Sequence, residues 1–276
     1  MRRSKSKKKL KLKNWLIIII LSVILLLAFG YIFKRPIIYY SKILYHIIIP
    51  SEQYEAVASS NTKTNLYSKV QVPSGEVYGI DISRYQGVIN WKVLSAFEFK
   101  YHKIDFMYIK ATESTDWVDK RYKSNWKNAH KYGYIRGAYH FFDPDVDSKS
   151  QMNNFFSKVS LKKGDLPPML DVEKESKITT SEYRKKVMEC LQMMEVHYGM
   201  RPMLYTHQSF YDSYFAANEF SGYSLWISRL KQSKPKQKNW VIWQFSHHAV
   251  VPGIDEYVDF NVFNGSLNDF KILQKK

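Results

Sequence analysis

Eight short runs rich in β-branched and aromatic residues recur between residues 77 and 263, and their spacing constrains the fold more than any other feature. They are VYGIDIS (77–83), FMYIKAT (106–112), YIRGAYHFF (134–142), PMLDVE (168–173), RPMLYTH (201–207), YSLWIS (223–228), WVIWQFS (240–246) and YVDFNVF (257–263). Helical periods separate most of the early ones. Tyr122, Trp126 and Ala129 share one helix face and stop near Gly133. Ser148 and Gln151 have capping-box spacing ahead of Met152, Phe155, Phe156 and Val159. Thr179 and Glu182 repeat that spacing ahead of Val187, Cys190, Leu191 and Met194, with Gly199 as the stop and Pro202 beyond it. Strand–helix alternation of this kind predicts an α/β fold with a mostly parallel sheet covered by helices. About eight strands predict a closed, TIM-like β/α barrel. The last three strands have connections too short for crossover helices, so the barrel is expected to be irregular in its final third. No repeat of fixed period is present.

The N-terminal part reads as an address. Residues 15–33, WLIIIILSVILLLAFGYIF, carry no charge and span about 28 Å as a helix, close to the thickness of a bilayer's hydrocarbon core. Residues 1–14 are dense in Lys and Arg, which holds that end in the cytoplasm. No A-x-A-like cleavage site follows, which favours an uncleaved single-pass transmembrane helix over a signal peptide. The expected partner of residues 15–33 is the lipid bilayer. Residues 34–76 read as an interfacial segment followed by a polar linker, and residues 77–276 as the folded domain. That domain is expected outside the cytoplasmic membrane, in a periplasmic or extracellular space.

Charge follows the same division. The formal net charge is +17, and ten of the 42 Lys and Arg fall in residues 1–35, where there is no acid. The mild basic surplus elsewhere suits a solvated exterior or an anionic surface. No zinc-finger spacing, RNP pattern or basic recognition helix points to nucleic acid. Cys190 is the only cysteine, so no intrachain disulfide forms, and its helical setting predicts a buried, inert thiol. His247 and His248 are adjacent and no H-E-x-x-H pattern occurs; no metal and no cofactor are expected. Aromatic residues make up 16% of the chain, a composition that serves sugar stacking as well as barrel packing.

Acidic residues mark the ends of the strands. In PMLDVE, Asp171 and Glu173 are two apart, so an extended strand points both one way and Val172 the other. They sit at the strand's C-terminal end, where β/α barrels place active sites. Two adjacent carboxyls raise at least one pKa between them, as a proton donor requires. Glycosidic cleavage needs such a pair. The competing reading is a helix cap or a pair with Lys174. Asp81 (GIDIS), Glu113 (KATES) and Asp259 (YVDFN) stand on three further strands and converge on the pair if the barrel closes. Singly, Asp81 reads equally as a turn cap, Glu113 as a partner of Lys110, and Asp259 as a surface acid.

From about residue 78 to residue 270 the chain resembles glycoside hydrolase family 25, the lysozymes that act as N-acetylmuramidases. The resemblance rests on YGIDISRYQGVINW (78–91), FMYIKATES (106–114), GAYHFF (137–142), PMLDVE (168–173), MLYTH (203–207), LWISR (225–229), WQFS (243–246) and GIDEYVDFNVF (253–263), in that order. It implies an irregular β/α barrel and a retaining reaction on the β-1,4 bond between N-acetylmuramic acid and N-acetylglucosamine, with peptidoglycan glycan strands as partner. It implies Glu173 as general acid. Asp171 is its partner, either as nucleophile or by orienting the substrate's acetamido group, and Asp81 and Asp259 are supporting acids. It further implies substrate-binding positions at Glu113, Tyr139, Phe141, Tyr205 and Gln244. His140 faces away from Tyr139 and Phe141 and reads as a satisfied structural histidine. Where the family commonly has KATEG this chain has Ser114, which costs the turn backbone freedom and removes no carboxylate. The alternatives are an inactive peptidoglycan-binding module and a cell-envelope scaffold.

Overall fold

A computed structural model describes residues 72–99, 102–215, 218–230 and 233–276. The basic tail, the transmembrane helix and most of the linker expected from the sequence therefore lie outside the described residues. Among the described residues no helix is long and apolar enough to cross a membrane.

In chain order the elements are β1 (Tyr78–Ile82), α1 (Trp91–Ser95), β2 (Glu98–Phe99), β3 (His102–Lys103), β4 (Phe106–Glu113), β5 (Trp117–Val118), α2 (Tyr122–Lys131), β6 (Ile135–Phe141), α3 (Ser148–Lys158), β7 (Met169–Asp171), α4 (Thr180–Tyr198), β8 (Met203–His207), α5 (Gln208–Tyr214), β9 (Ser224–Ser228), β10 (Trp240–Ala249), β11 (Val258–Phe263) and α6 (Leu267–Ile272). The eight strands expected from the sequence are β1, β4 and β6 to β11. They run in the order β1-β11-β10-β9-β8-β7-β6-β4, and a β1–β4 pairing closes the ring. Neighbours are parallel except at β11, which is antiparallel to both β10 and β1. No helix lies between β9 and β10 among the described residues. The irregularity thus falls in the final third, where short connections leave no length for a crossover helix.

Strand alternation builds two apolar layers. Phe106, Tyr108, Tyr139, Met169, Met203, Tyr205, Trp226, Ile242 and Phe263 form one cluster, the filling of the barrel. Their neighbours Met107, Ile109, Ala138, Leu170, Leu204, Leu225, Ile227 and Val262 belong to the second, under the helices. Phe270 of α6 packs on Phe106 and Phe263 with ring centroids 5.0 Å away in both cases, closing the bottom of the barrel. Gly79 and Gly137 make room for large rings: a Cβ on Gly79 would run into Phe106, and one on Gly137 into Tyr108.

The helix ends hold one correction. Asp147, not Ser148, is the N-cap of α3, its carboxylate accepting from the N–H of Ser150 at 2.7 Å. Gln151 turns inward instead and accepts from the Asp143 N–H at 3.0 Å while bonding His140 Nε2 at 3.0 Å. A buried imidazole needed that amide more than the helix end did. Thr179 does cap α4, accepting from the Glu182 N–H at 3.2 Å, and Gly199 ends that helix in the left-handed region at φ 65°. Cys190 is buried, and burial pushes its thiol up to about 12.

Candidate active site

The C-terminal ends of the parallel strands ring an open cleft of about 330 Å³. Asp81, Glu113, Tyr139, Phe141, Asp171, Glu173, Tyr205 and Asp259 line it, so eight of the nine residues singled out from the sequence meet at one mouth. Asp171 and Glu173 point into it while Val172, between them, is fully buried in the outer layer. The ninth, Gln244, lies in the layer below, where its amide donates to Asp81 Oδ2 at 3.2 Å and its carbonyl accepts from Tyr205 OH at 3.0 Å.

The floor of the cleft is a chain of hydrogen bonds across five strands. Trp226 Nε1 donates to Asn261 Oδ1 at 3.0 Å, and Asn261 Nδ2 donates to Asp81 Oδ2 at 2.8 Å. Asp81 also accepts from Gln244, which in turn accepts from Tyr205. Two donors on one oxygen orient the Asp81 carboxyl and leave little rotational freedom to it.

Each acid sits in a different field. Burial, and after it the charge of Glu173, pushes Asp171 well above the ordinary carboxylate range, with Lys110 pulling the other way. Its Oδ1 is buried and has no hydrogen-bond partner among the described residues. Burial raises Asp81 to about 6 against the pull of Asn261 and Gln244. Burial and the facing Asp81 raise Asp259 to about 9. Glu173 is more open, its side chain 30% exposed, with Oε2 3.2 Å from His207 Nε2. That bond raises the imidazole above its ordinary value while burial opposes it. Glu113 pairs with Lys110 at 2.7 Å, and the same ammonium lies over the rings of Phe141 (4.5 Å) and Trp117 (5.1 Å).

Asn261, Trp226 and His207 are members of the site that reasoning from acids alone passes over. Alternation locates two of them: Asn261 is two beyond Asp259, and His207 two beyond Tyr205. His140 stays structural. It is fully buried, held by Thr112 Oγ1 at 2.7 Å and by Gln151, and burial lowers it to about 4. Among the described residues no group of three or more His, Cys, Asp or Glu is arranged to hold a metal ion.

A β/α barrel with a carboxyl pair on one strand end, two further acids closing the same rim and aromatic walls is built for acid-assisted cleavage of a glycosidic bond. The protein is a glycoside hydrolase. More narrowly, it belongs to glycosyl hydrolases family 25, whose sequence profile matches residues 80–254. YegX of Escherichia coli K12 is 35% identical over 205 residues, which cover 73% of this chain and 75% of that protein. Lysozyme M1 of Streptomyces globisporus is 31% identical over 208 residues, 69% of this chain and 68% of that protein. The bacterial lysozyme of Streptomyces coelicolor has the same fold at a TM-score of 0.67 and 30% identity, over 74% of this chain and 98% of its own. A family 25 glycosyl hydrolase of Bacillus anthracis has a TM-score of 0.66 at 30% identity, over 74% and 96%.

Proposed function

We propose that the protein is a retaining muramidase that hydrolyses the β-1,4 bond between N-acetylmuramic acid and N-acetylglucosamine in peptidoglycan. Glu173, the more accessible acid of the pair, protonates the departing glycosidic oxygen. Asp171 stabilises the cationic sugar carbon, either by direct attack or by accepting the acetamido N–H of the substrate. The observation that carries this reading is the buried, unpartnered Oδ1 of Asp171 beside Glu173. A buried acceptor without a donor costs stability, which a substrate N–H or a developing positive charge offsets. Asp81 and Asp259 hold the remaining charge of the site, Glu113, Tyr139 and Phe141 flank the sugars, and Tyr205 and Gln244 fix the floor.

In this reading residues 15–33 anchor the protein in the cytoplasmic membrane with residues 1–14 inside, and residues 77–276 act on the wall outside. The uncharged run and its basic flank support it. Protease added to intact spheroplasts should remove the barrel, and alkaline carbonate should leave the protein in the membrane fraction.

The enzymatic test is digestion of purified peptidoglycan by the full-length protein. Reducing muramic acid ends should appear, and Glu173→Gln should lower their release by about a thousandfold or more, as loss of a catalytic acid does when no other group replaces it. Tight binding of peptidoglycan with no new reducing ends would instead mark a binding module.

A further inference from the structure

A second groove, of about 460 Å³, lies beside the cleft at the C-terminal ends of β8 and β9. His207 links the two: it lines this groove, and its Nε2 is 3.2 Å from Glu173, which lines the cleft. Arg229, directly after β9, also lines it. The Arg229 main chain is held on both sides, its N–H donating to the Gln244 carbonyl at 3.0 Å and its own carbonyl accepting from Trp243 Nε1 at 2.8 Å. Its side chain is not: Nε and Nη1 are buried and, among the described residues, donate to nothing. The carboxylate that lines the groove, Asp212, is already engaged by Lys236 at 2.8 Å, Gln208 at 3.0 Å and Gln237 at 3.3 Å. A guanidinium with buried, unpaired N–H groups weakens the fold, and its planar fork matches a carboxylate.

We propose that this groove is an anion subsite, in which Arg229 binds a carboxylate carried on the lactyl substituent of muramic acid. The inference rests on the muramidase reading. The main cleft is lined by Asp81, Glu113, Asp171, Glu173 and Asp259, and would repel an anionic branch of the substrate. A cationic groove sharing the His207 wall lets the neutral sugar rings cross the acids while the charged branch lies to the side. The carboxylate has two possible sources: the lactyl group itself in stripped glycan, or the peptide stem attached to it.

The test compares full-length wild type, Arg229→Gln and Arg229→Lys on three substrates: peptide-bearing peptidoglycan, the same glycan stripped of peptides, and stripped glycan whose lactyl carboxyls have been amidated. Arg229→Gln should raise KM about tenfold or more on carboxylate-bearing strands, a larger effect than on kcat, with Arg229→Lys recovering part of it. A rise confined to peptide-bearing strands assigns the stem; a rise confined to the stripped glycan, whose lactyl carboxyl is no longer tied up in the amide to the stem, assigns the lactyl group; a rise on both means that Arg229 takes either carboxylate. Where the lactyl group is the ligand, wild type binds the amidated glycan less tightly than the stripped glycan; where the stem is, it binds both stripped glycans less tightly than peptide-bearing strands. Arg229→Gln should melt at or above wild type, since it removes an unpaired buried charge. Equal KM for wild type and Arg229→Gln on all three would overturn the subsite and leave the muramidase reading standing. So would an equal rise on the amidated glycan, or a large fall in melting temperature with kcat falling as much as KM rises. Wild type that releases no muramic ends from any of the three would overturn both.

Discussion

Asp81 and Asp259 lie directly opposite each other in the antiparallel seam between β1 and β11, and burial holds both carboxyls above the ordinary carboxylate range. Neither can ionise without facing the other, so near neutrality the pair holds a proton that the unfolded chain would release.

The pair makes stability depend on pH. Each group binds its proton more tightly folded than unfolded. Its contribution is therefore fully present below the ordinary value of 3.8 and is lost as pH rises through about 6 for Asp81 and about 9 for Asp259. Asp259→Asn removes the facing acid and keeps the shape. Its stability relative to wild type should rise between about pH 5 and about pH 9, by ~1 kcal/mol or more at the alkaline end. Urea midpoints of both proteins across that range measure the difference. A difference that stays flat or shrinks would mean that the two carboxyls do not share a proton.

Asn261 is the second point of leverage. It is fully buried and serves two partners at once, accepting from Trp226 and donating to Asp81. Asn261→Asp replaces the donor with a third carboxylate against a buried acid pair. We expect a loss of about 3 kcal/mol or more and a lower kcat, because Asp81 loses the bond that orients it. Asn261→Ala should cost about 2 kcal/mol, leaving Trp226 Nε1 without its acceptor. Equilibrium denaturation checks both, and an Asn261→Asp protein as stable as wild type contradicts the arrangement.

The barrel was legible because its strands announce themselves twice. Each run from VYGIDIS to YVDFNVF is short and apolar, and in most of them the residues facing the barrel alternate with residues packed outward, as Asp171–Val172–Glu173 shows. Period-two reasoning therefore identified the strands and also the face bearing the acids. It did not supply direction or partners. That β11 runs against both neighbours is not given by connection length, since the link after β9 also lacks a helix among the described residues and yet β9 and β10 are parallel. That Gln244 lies beneath the cleft, bonded to Asp81, depends on how far β10 is staggered against β1 through β11. The misread cap at Ser148 is a competition between two local rules: Asp147 also caps, and Gln151 was claimed by a histidine on another element. Arg229 was visible only as the end of LWISR, since an unpaired side chain is a property of three dimensions.

Ser114 carries a cost that the turn did not need. It follows β4 with φ 50°, and among the described residues it is the only non-glycine at positive φ. Asn154 Nδ2 pins the loop by donating to the carbonyls of Glu113, Ser114 and Trp117 at 3.4, 3.3 and 3.0 Å. A left-handed L-residue costs about 1–2 kcal/mol, and glycine returns about 0.5–1 kcal/mol of that as extra unfolded-chain entropy. Ser114→Gly should therefore stabilise by about 0.5–1 kcal/mol, read as a rise in the urea midpoint with activity retained. A fall in the midpoint would show that the hydroxyl has a role.

Gly137 should be among the least tolerant positions in the barrel. The Tyr108 ring occupies the space where a side chain at Gly137 would begin, and its OH donates to the Pro167 carbonyl at 3.0 Å. Gly137→Ala must displace a fully buried ring that is also hydrogen-bonded. A loss of about 2–3 kcal/mol is expected, at the upper end for overpacking by one methyl. Tyr108→Phe in the same chain should not restore it, because the clash lies with the ring rather than the hydroxyl. Recovery of stability in that double variant would refute the steric account.

His207 reports on Glu173. Its Nε2–Oε2 bond to Glu173 is the largest influence on the imidazole and raises its pKa; partial burial opposes this, and the charges of Glu173 and Glu175 add to the rise. Glu173→Gln keeps the shape of the partner and removes the carboxyl that the imidazole bonds, so His207 should titrate at lower pH in the variant. The same bond contributes stability that is fully present below the ordinary imidazole value of 6.5 and is lost as pH rises through the folded value. In Glu173→Gln that part of the pH dependence should vanish. Nitrogen and proton NMR of the His207 ring across neutral pH measures the first effect, and urea midpoints below and above neutrality measure the second. An imidazole that titrates at the same pH in both proteins would separate His207 from Glu173, and with it the wall that the cleft and the neighbouring groove have in common.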